Sequence, residues 1–273
     1  MKKALLLGAT GTAVAIVMLA AGFLAGRQQV ETADVPAPAA QASPTNMAEL
    51  DRQEVETIVR DYLLTNPEVL LEAQQALEIK KQEQERLASR EVISEARAEI
   101  FNSAYDGIVG NPDGKVTIVE FYDYNCGYCK RAQEDMQALT AADPDLRFVL
   151  KEFPILGPDS HKAHIVSMAF RALAPEKYGE FHNQLLGGEG RADENAAIKI
   201  ALSLGADEAK LREEMKNPAI ADAFSKTYEL ANKLSITGTP SYVVGNEVVF
   251  GALGKDVLSE KIEAARACGE DGC

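Results

Sequence analysis

The pattern of apolar and polar positions changes character several times along the chain. First comes an uncharged run, Ala4–Gly26, bracketed by Lys2, Lys3 and Arg27. As a helix rising about 1.5 Å per residue it would be roughly 34 Å long, enough to cross a bilayer. Residues 1–27 therefore read as a signal anchor or a signal peptide. Cleavage candidates are poor: Leu19-Ala20-Ala21 has a bulky first residue, and Ala37-Pro38-Ala39 lies far downstream. Either way the lysines stay in the cytoplasm and everything after Arg27 is exported, into a periplasm or similar compartment. In the anchor reading, residues 4–26 tether it to the inner membrane. Residues 28–46, "QQVETADVPAPAAQASPTN", have no packing face and predict a flexible linker.

Residues 47–105 switch to helical spacing. Val55, Ile58, Val59, Tyr62 and Leu63 share one face, and Asn66-Pro67 ends that helix. A second helix carries Val69, Leu70, Ala73 and Leu77, turns polar at "KKQEQER", then resumes a sparse stripe at Leu87, Ile93, Ala96 and Ile100. Such helices bury little alone. They predict a stalk that spaces the next domain or assembles with sister chains, or else a hairpin folded onto that domain. The heptads are too broken to give an oligomer number.

From 106 to 267, strands alternate with helices. "KVTIVEFYDY" (115–124) is a buried-strand pattern running into a helix over 126–139. "LRFVLKEFPIL" (146–156) is a second strand. Helical segments fill 160–234, a hairpin joins 241–244 to 247–250, and a last helix spans 255–267. That order is α/β. Composition adds one exclusion: a net charge of -14 argues against a nucleic-acid partner, which needs concentrated Lys and Arg.

The candidate chemistry lies at Cys126-Gly127-Tyr128-Cys129. Two cysteines at this spacing can be a redox pair, half of a zinc site or an inert bridge. Zinc needs two more ligands at matching spacing. The other cysteines, Cys268 and Cys273, and the histidines His161, His164 and His182 do not supply it, so no metal or cofactor is expected. At a strand-to-helix junction, free N–H groups and the helix dipole lower the Cys126 pKa. Cys129, one turn further in, is expected to be buried, so Cys126 is the nucleophile and Cys129 the resolving thiol.

"VEFYDYNCGYCK", preceded by "GNPDG" (110–114) and followed far downstream by "GTPSYVVG" (238–245), resembles the DsbA-type branch of the thioredoxin superfamily. The resemblance implies a thioredoxin fold with a helical insertion and disulfide-exchange activity. "VRDYLLTNPEVLLEA" (59–73) is similar to the stalk of the ScsC-like (suppressor of copper sensitivity) members, which implies a homo-oligomer, with trimers among characterised relatives. By the same resemblance, Thr239-Pro240 is the cis-proline loop that offers its backbone to substrate, beside Gly127 and Tyr128. Glu120 is the buried acid that relays a proton to or from Cys129, and Lys151 is its partner.

Gly127-Tyr128 lacks the histidine of strongly oxidising relatives, and Thr239 resembles the isomerase relatives. Both tilt the reading toward isomerising or reducing non-native disulfides in exported proteins. Cys126 would then be kept reduced by a membrane thiol reductant resembling DsbD or ScsB. The alternatives are an oxidase recharged by a DsbB-like partner, and a tethered chaperone or copper-handling thiol protein. The tail, residues 268–273, reads as a small disulfide loop, with a second redox pair or a soft-metal clip as alternatives.

Overall fold

A computed structural model describes residues 51–268 of the chain. The segments expected as anchor and linker, and Cys273, lie outside the described residues. Among the described residues, no helix is long and apolar enough to cross a membrane.

The described chain divides into compact units at Asn66/Pro67. The first holds α1 (Arg52–Thr65), none of whose residues is buried. Its stripe of Val55, Ile58, Val59 and Tyr62 is exposed. Pro67 stands directly before α2 (Glu68–Glu95), where its missing N–H costs nothing.

The second unit is built on a five-stranded sheet of order β1-β3-β2-β4-β5. Its strands are β1 (Gly107–Gly110), β2 (Val116–Tyr122), β3 (Leu146–Glu152), β4 (Ser241–Val244) and β5 (Glu247–Phe250). The central pair β2 and β3 is parallel, and the other pairings are antiparallel. Strand β1 was not read from the sequence: "GIVG" has too few apolar residues to mark a strand. It exists because β3 offers it an edge, and its Gly107 leaves room for the Tyr178 ring, which any Cβ there would overlap.

Helix α3 (Arg97–Asn102) follows α2. Ile93, Ile100 and Phe101 from these helices are buried against Val119, Phe121 and Val149 on one sheet face. The end of the expected stalk is thus part of the core, and burial begins near Ile93, well before position 105. The other face carries α4 (Gly127–Ala142) and most of the helical insertion: α5 (Pro158–Leu173), a 3-10 turn at Pro175–Lys177, α6 (Tyr178–Leu186), α7 (Glu194–Ser203), α8 (Glu208–Glu214) and the start of α9 (Pro218–Lys233), whose Leu230 and Ala231 pack with Ile93 and Phe121 on the first face. Helix α10 (Lys255–Cys268) closes the described chain. Cys268 is disulfide-bonded.

Both long strands end earlier than their apolar runs. The Asp123 carboxylate turns the chain after β2 and accepts the N–H groups of Ile155 and Leu156 at 2.9 Å each, taking "PIL" out of the ladder.

Candidate active site

Strand β2 delivers the chain to the site, and Cys126 is the residue before the first turn of α4. Its carbonyl accepts the Lys130 N–H at 3.0 Å, so the thiol stands at the helix N-terminus, as expected. Cys126 is nearly buried, Cys129 fully so, and both are free thiols.

The environment separates the two thiols. The Cys129 thiol donates to Cys126. That bond, the Thr239 side chain and the N–H groups of Cys129 and Tyr128 bring the Cys126 pKa down to about 5, although burial opposes it. Cys129 is driven the other way, chiefly by burial and then by Cys126 and Glu120. At neutral pH Cys126 is a thiolate and Cys129 a thiol, the division of labour that exchange requires.

The Thr239-Pro240 bond is cis. When protonated, Cys126 Sγ donates to the Thr239 carbonyl at 3.2 Å, so the loop lies against the reacting sulfur. Gly127 has open space where a side chain would stand, so packing does not require glycine there. Tyr128 is 59% exposed, with the Arg131 guanidinium 4.4 Å over its ring.

Glu120 is 3% exposed in the centre of the sheet, opposite Leu150 and Tyr242. Burial first, and then the Cys126 thiolate, raise its pKa to about 8. Glu120 also raises the pKa of Cys129, so the acid and the inner thiol sense each other on one sheet face.

The expected Glu120–Lys151 pair does not form. Glu120 stands opposite Leu150, and Lys151 opposite Phe121. Side chains alternate along a strand, so this one-residue offset puts the two on opposite faces. Lys151 is fully buried on the α3 side, its Nζ 2.6 Å from Asp106 Oδ2 and 2.5 Å from the Glu99 carbonyl. It anchors α3 to the sheet.

Sequence reading missed the residues that hold the loop before Cys126. Asp123, fully buried, accepts from Asn125 N, Ser160 Oγ, Ile155 N and Leu156 N. The Asn125 side chain reaches Ser160 Oγ and both polar groups of the Ala192 backbone. Glu152, His164 and Ser167 lie beneath Tyr124. A signal existed: Asp123 and Glu152 each interrupt an apolar run, as Glu120 does.

A depressed thiol at a helix N-terminus, a protonated second thiol beneath it and a cis-proline loop against the sulfur define a thioredoxin-fold thiol–disulfide oxidoreductase. The chain belongs to the DSBA-like thioredoxin domain family, matched over residues 117–263, and residues 51–84 match the copper resistance protein ScsC N-terminal domain. A thioredoxin-like oxidoreductase from Silicibacter pomeroyi is 39% identical, with a TM-score of 0.60, covering 63% of this chain and 98% of its own. A linker-deletion variant of Proteus mirabilis ScsC is 25% identical, with a TM-score of 0.61, over 86% of this chain and 99% of its own. Disulfide bond formation protein D of Bacillus subtilis is 27% identical over 57% of this chain and 75% of that protein. The chain also aligns with NhaA-type Na(+)/H(+) antiporters, such as that of Salinispora tropica at 24% identity, but spans only 25% of that protein's length.

Proposed function

We propose that this oxidoreductase works in the periplasm as an assembled disulfide isomerase or reductase that attacks non-native disulfides in exported proteins. Cys126 opens the wrong disulfide and Cys129 resolves the mixed disulfide. Glu120 exchanges the proton of Cys129, while Thr239 and Pro240, with Gly127 and Tyr128 at the rim, take the substrate strand. A membrane thiol reductant of the DsbD or ScsB kind returns the pair to the dithiol form.

The observation that carries this reading is the exposed stripe Val55, Ile58, Val59 and Tyr62 on α1, in the segment matching the ScsC N-terminal domain. Apolar residues left exposed along a helix call for sister copies, with a trimer favoured by the resemblance. Several Cys126 sites on one assembly suit a substrate that must be cut and re-paired more than once. Residues 1–27 are its membrane tether or cleaved leader, 28–46 its linker, 47–105 the assembly region, 106–267 the catalytic domain and 268–273 a cysteine-containing tail.

The test is refolding of scrambled ribonuclease by the chain from residue 28 onward and by a version lacking residues 47–84. This cut spares Ile93, Ile100 and Phe101. The full version should recover activity several-fold faster. Equal rates would remove the assembly from the mechanism, and faster action on reduced than on scrambled ribonuclease would make the protein an oxidase.

A further inference from the structure

Beneath the active site lies a buried polar network that no step of thiol–disulfide exchange uses. Its centre is the Glu152 carboxylate at the end of β3, on the same sheet face as Glu120. Glu152 is 4% exposed. His164 Nδ1 contacts its Oε2, while Ser167 Oγ at 2.7 Å and the Tyr178 hydroxyl at 3.2 Å donate to its Oε1.

The hydrogen bonds fix which atom carries each proton. His164 Nε2 accepts the Tyr124 backbone N–H at 3.2 Å, so it holds no proton. The ring proton must then sit on Nδ1, which donates to Glu152, and the imidazole is neutral in a single tautomer. Ser167 gives its one proton to Glu152, so its partner at 2.8 Å, the Tyr124 hydroxyl, donates to it. Tyr178 likewise gives its proton to Glu152, and the Tyr122 hydroxyl, 3.2 Å away, donates to Tyr178.

Every chain of donors therefore ends on Glu152, and two pass through Tyr124: its backbone N–H through His164, and its hydroxyl, which accepts from His182 Nδ1 at 3.4 Å, through Ser167. Tyr124 lies two residues before Cys126, between Asp123 and Asn125, whose side chains are held separately. A buried charge is an expensive way to fill space, since an apolar side chain of similar size is often as stabilising. Its value here lies in direction. Only an acceptor that cannot donate keeps the His164 proton on Nδ1 and leaves Nε2 open to the Tyr124 N–H.

We propose that Glu152 and His164 are a positioning pair: by fixing the imidazole tautomer they lock the Tyr124 peptide, and so hold Cys126 Sγ against the N–H groups of α4. With the other tautomer, the Nε2–H would face the Tyr124 N–H, donor against donor. The active-site turn would loosen and the thiolate would lose part of its support. The pair acts whichever direction the exchange runs, so it stands apart from the isomerase reading.

The test follows iodoacetamide alkylation of Cys126 against pH in the full chain, with hydrogen exchange of the Tyr124 amide alongside. Glu152→Gln keeps the volume but can donate. It should shift the half-rate point upward by about one pH unit, slowing alkylation about fivefold at pH 5, and speed Tyr124 exchange. Tyr178→Phe removes another donor to Glu152 but leaves both Tyr124 links. It should lower the melting temperature and leave the pH profile in place. An unmoved profile in Glu152→Gln, or an equal shift in Tyr178→Phe, overturns the proposal. If Glu152→Gln fails to fold, His164→Leu and His164→Gln read the same link. Leu removes the acceptor and shifts the profile, Gln supplies a carbonyl acceptor and restores it, and identical profiles refute the pairing.

Discussion

Lys151 and Glu120, one on each face of the central sheet, are buried charges treated in opposite ways. On the α3 face, Lys151 is compensated: Asp106 supplies the counter-charge, and the Glu99 carbonyl takes another of its protons. On the active-site face, burial and the Cys126 thiolate both disfavour the charged form of Glu120. The Lys151 charge offsets only part of the burial of Asp106, whose pKa still rises to about 7, and the pair does structural work. An uncompensated carboxyl, with a pKa of about 8, stands close enough to neutrality to give or take a proton. A single residue of register between β2 and β3 separates the two uses.

The largest effect should come from breaking the compensated side. Lys151→Met leaves Asp106 buried without its cation and should cost roughly 3–5 kcal/mol in urea denaturation. The alkylation pH profile of Cys126 should not move. A shifted profile would mean that Lys151 reaches the site after all, and the contrast between the faces would fail.

The uncompensated side should respond with the opposite sign. The folded pKa of Glu120 is raised, to about 8, so burying it costs nothing at pH 4 and costs progressively more as pH rises toward 8. Glu120→Gln should match the parent near pH 4 and be more stable above pH 8, by a few kcal/mol, on the order of 1.4 per pKa unit. The same variant should slow release of the mixed disulfide, because Cys129 loses its proton acceptor. A stability difference that is flat with pH would put the Glu120 carboxyl in water.

The smallest effect lies at the rim. Arg131→Ala frees the exposed Tyr128 ring from its cation, an interaction of about 0.5–1 kcal/mol at such sites. It should raise KM for a mispaired substrate about two- to fivefold and leave kcat unchanged. A fall in kcat would move Arg131 from the rim into the chemistry.

Much of this was legible beforehand because the signals are local. Cys126 and Cys129 lie within one turn of each other, and the apolar run before them can only be a strand. The hairpin over 241–250 is marked by Gly245-Asn246, and Thr239-Pro240 was read from the motif around it. What escaped was set by partners distant in sequence. Strand β1 depends on an edge of β3, and the strand ends depend on Asp123 capturing the N–H groups of Ile155 and Leu156. Lys151 was assigned to Glu120 by the family resemblance and its place in the neighbouring strand. Register, which no strand carries in its own sequence, sent them to different faces.

The sequence by itself determined the place of Cys126 at the start of one helix and Cys129 inside it, most of the order of elements and the buried acid, because spacing along one helix or strand decides each of them. Tertiary structure decided which charge meets which. It placed Lys151 on Asp106, drew Ile93 and Phe101 into the core, and gathered Glu152, His164 and Ser167 beneath Tyr124. Those choices follow from strand register and from helices packing on one face or the other, and these exist only once the chain has closed on itself.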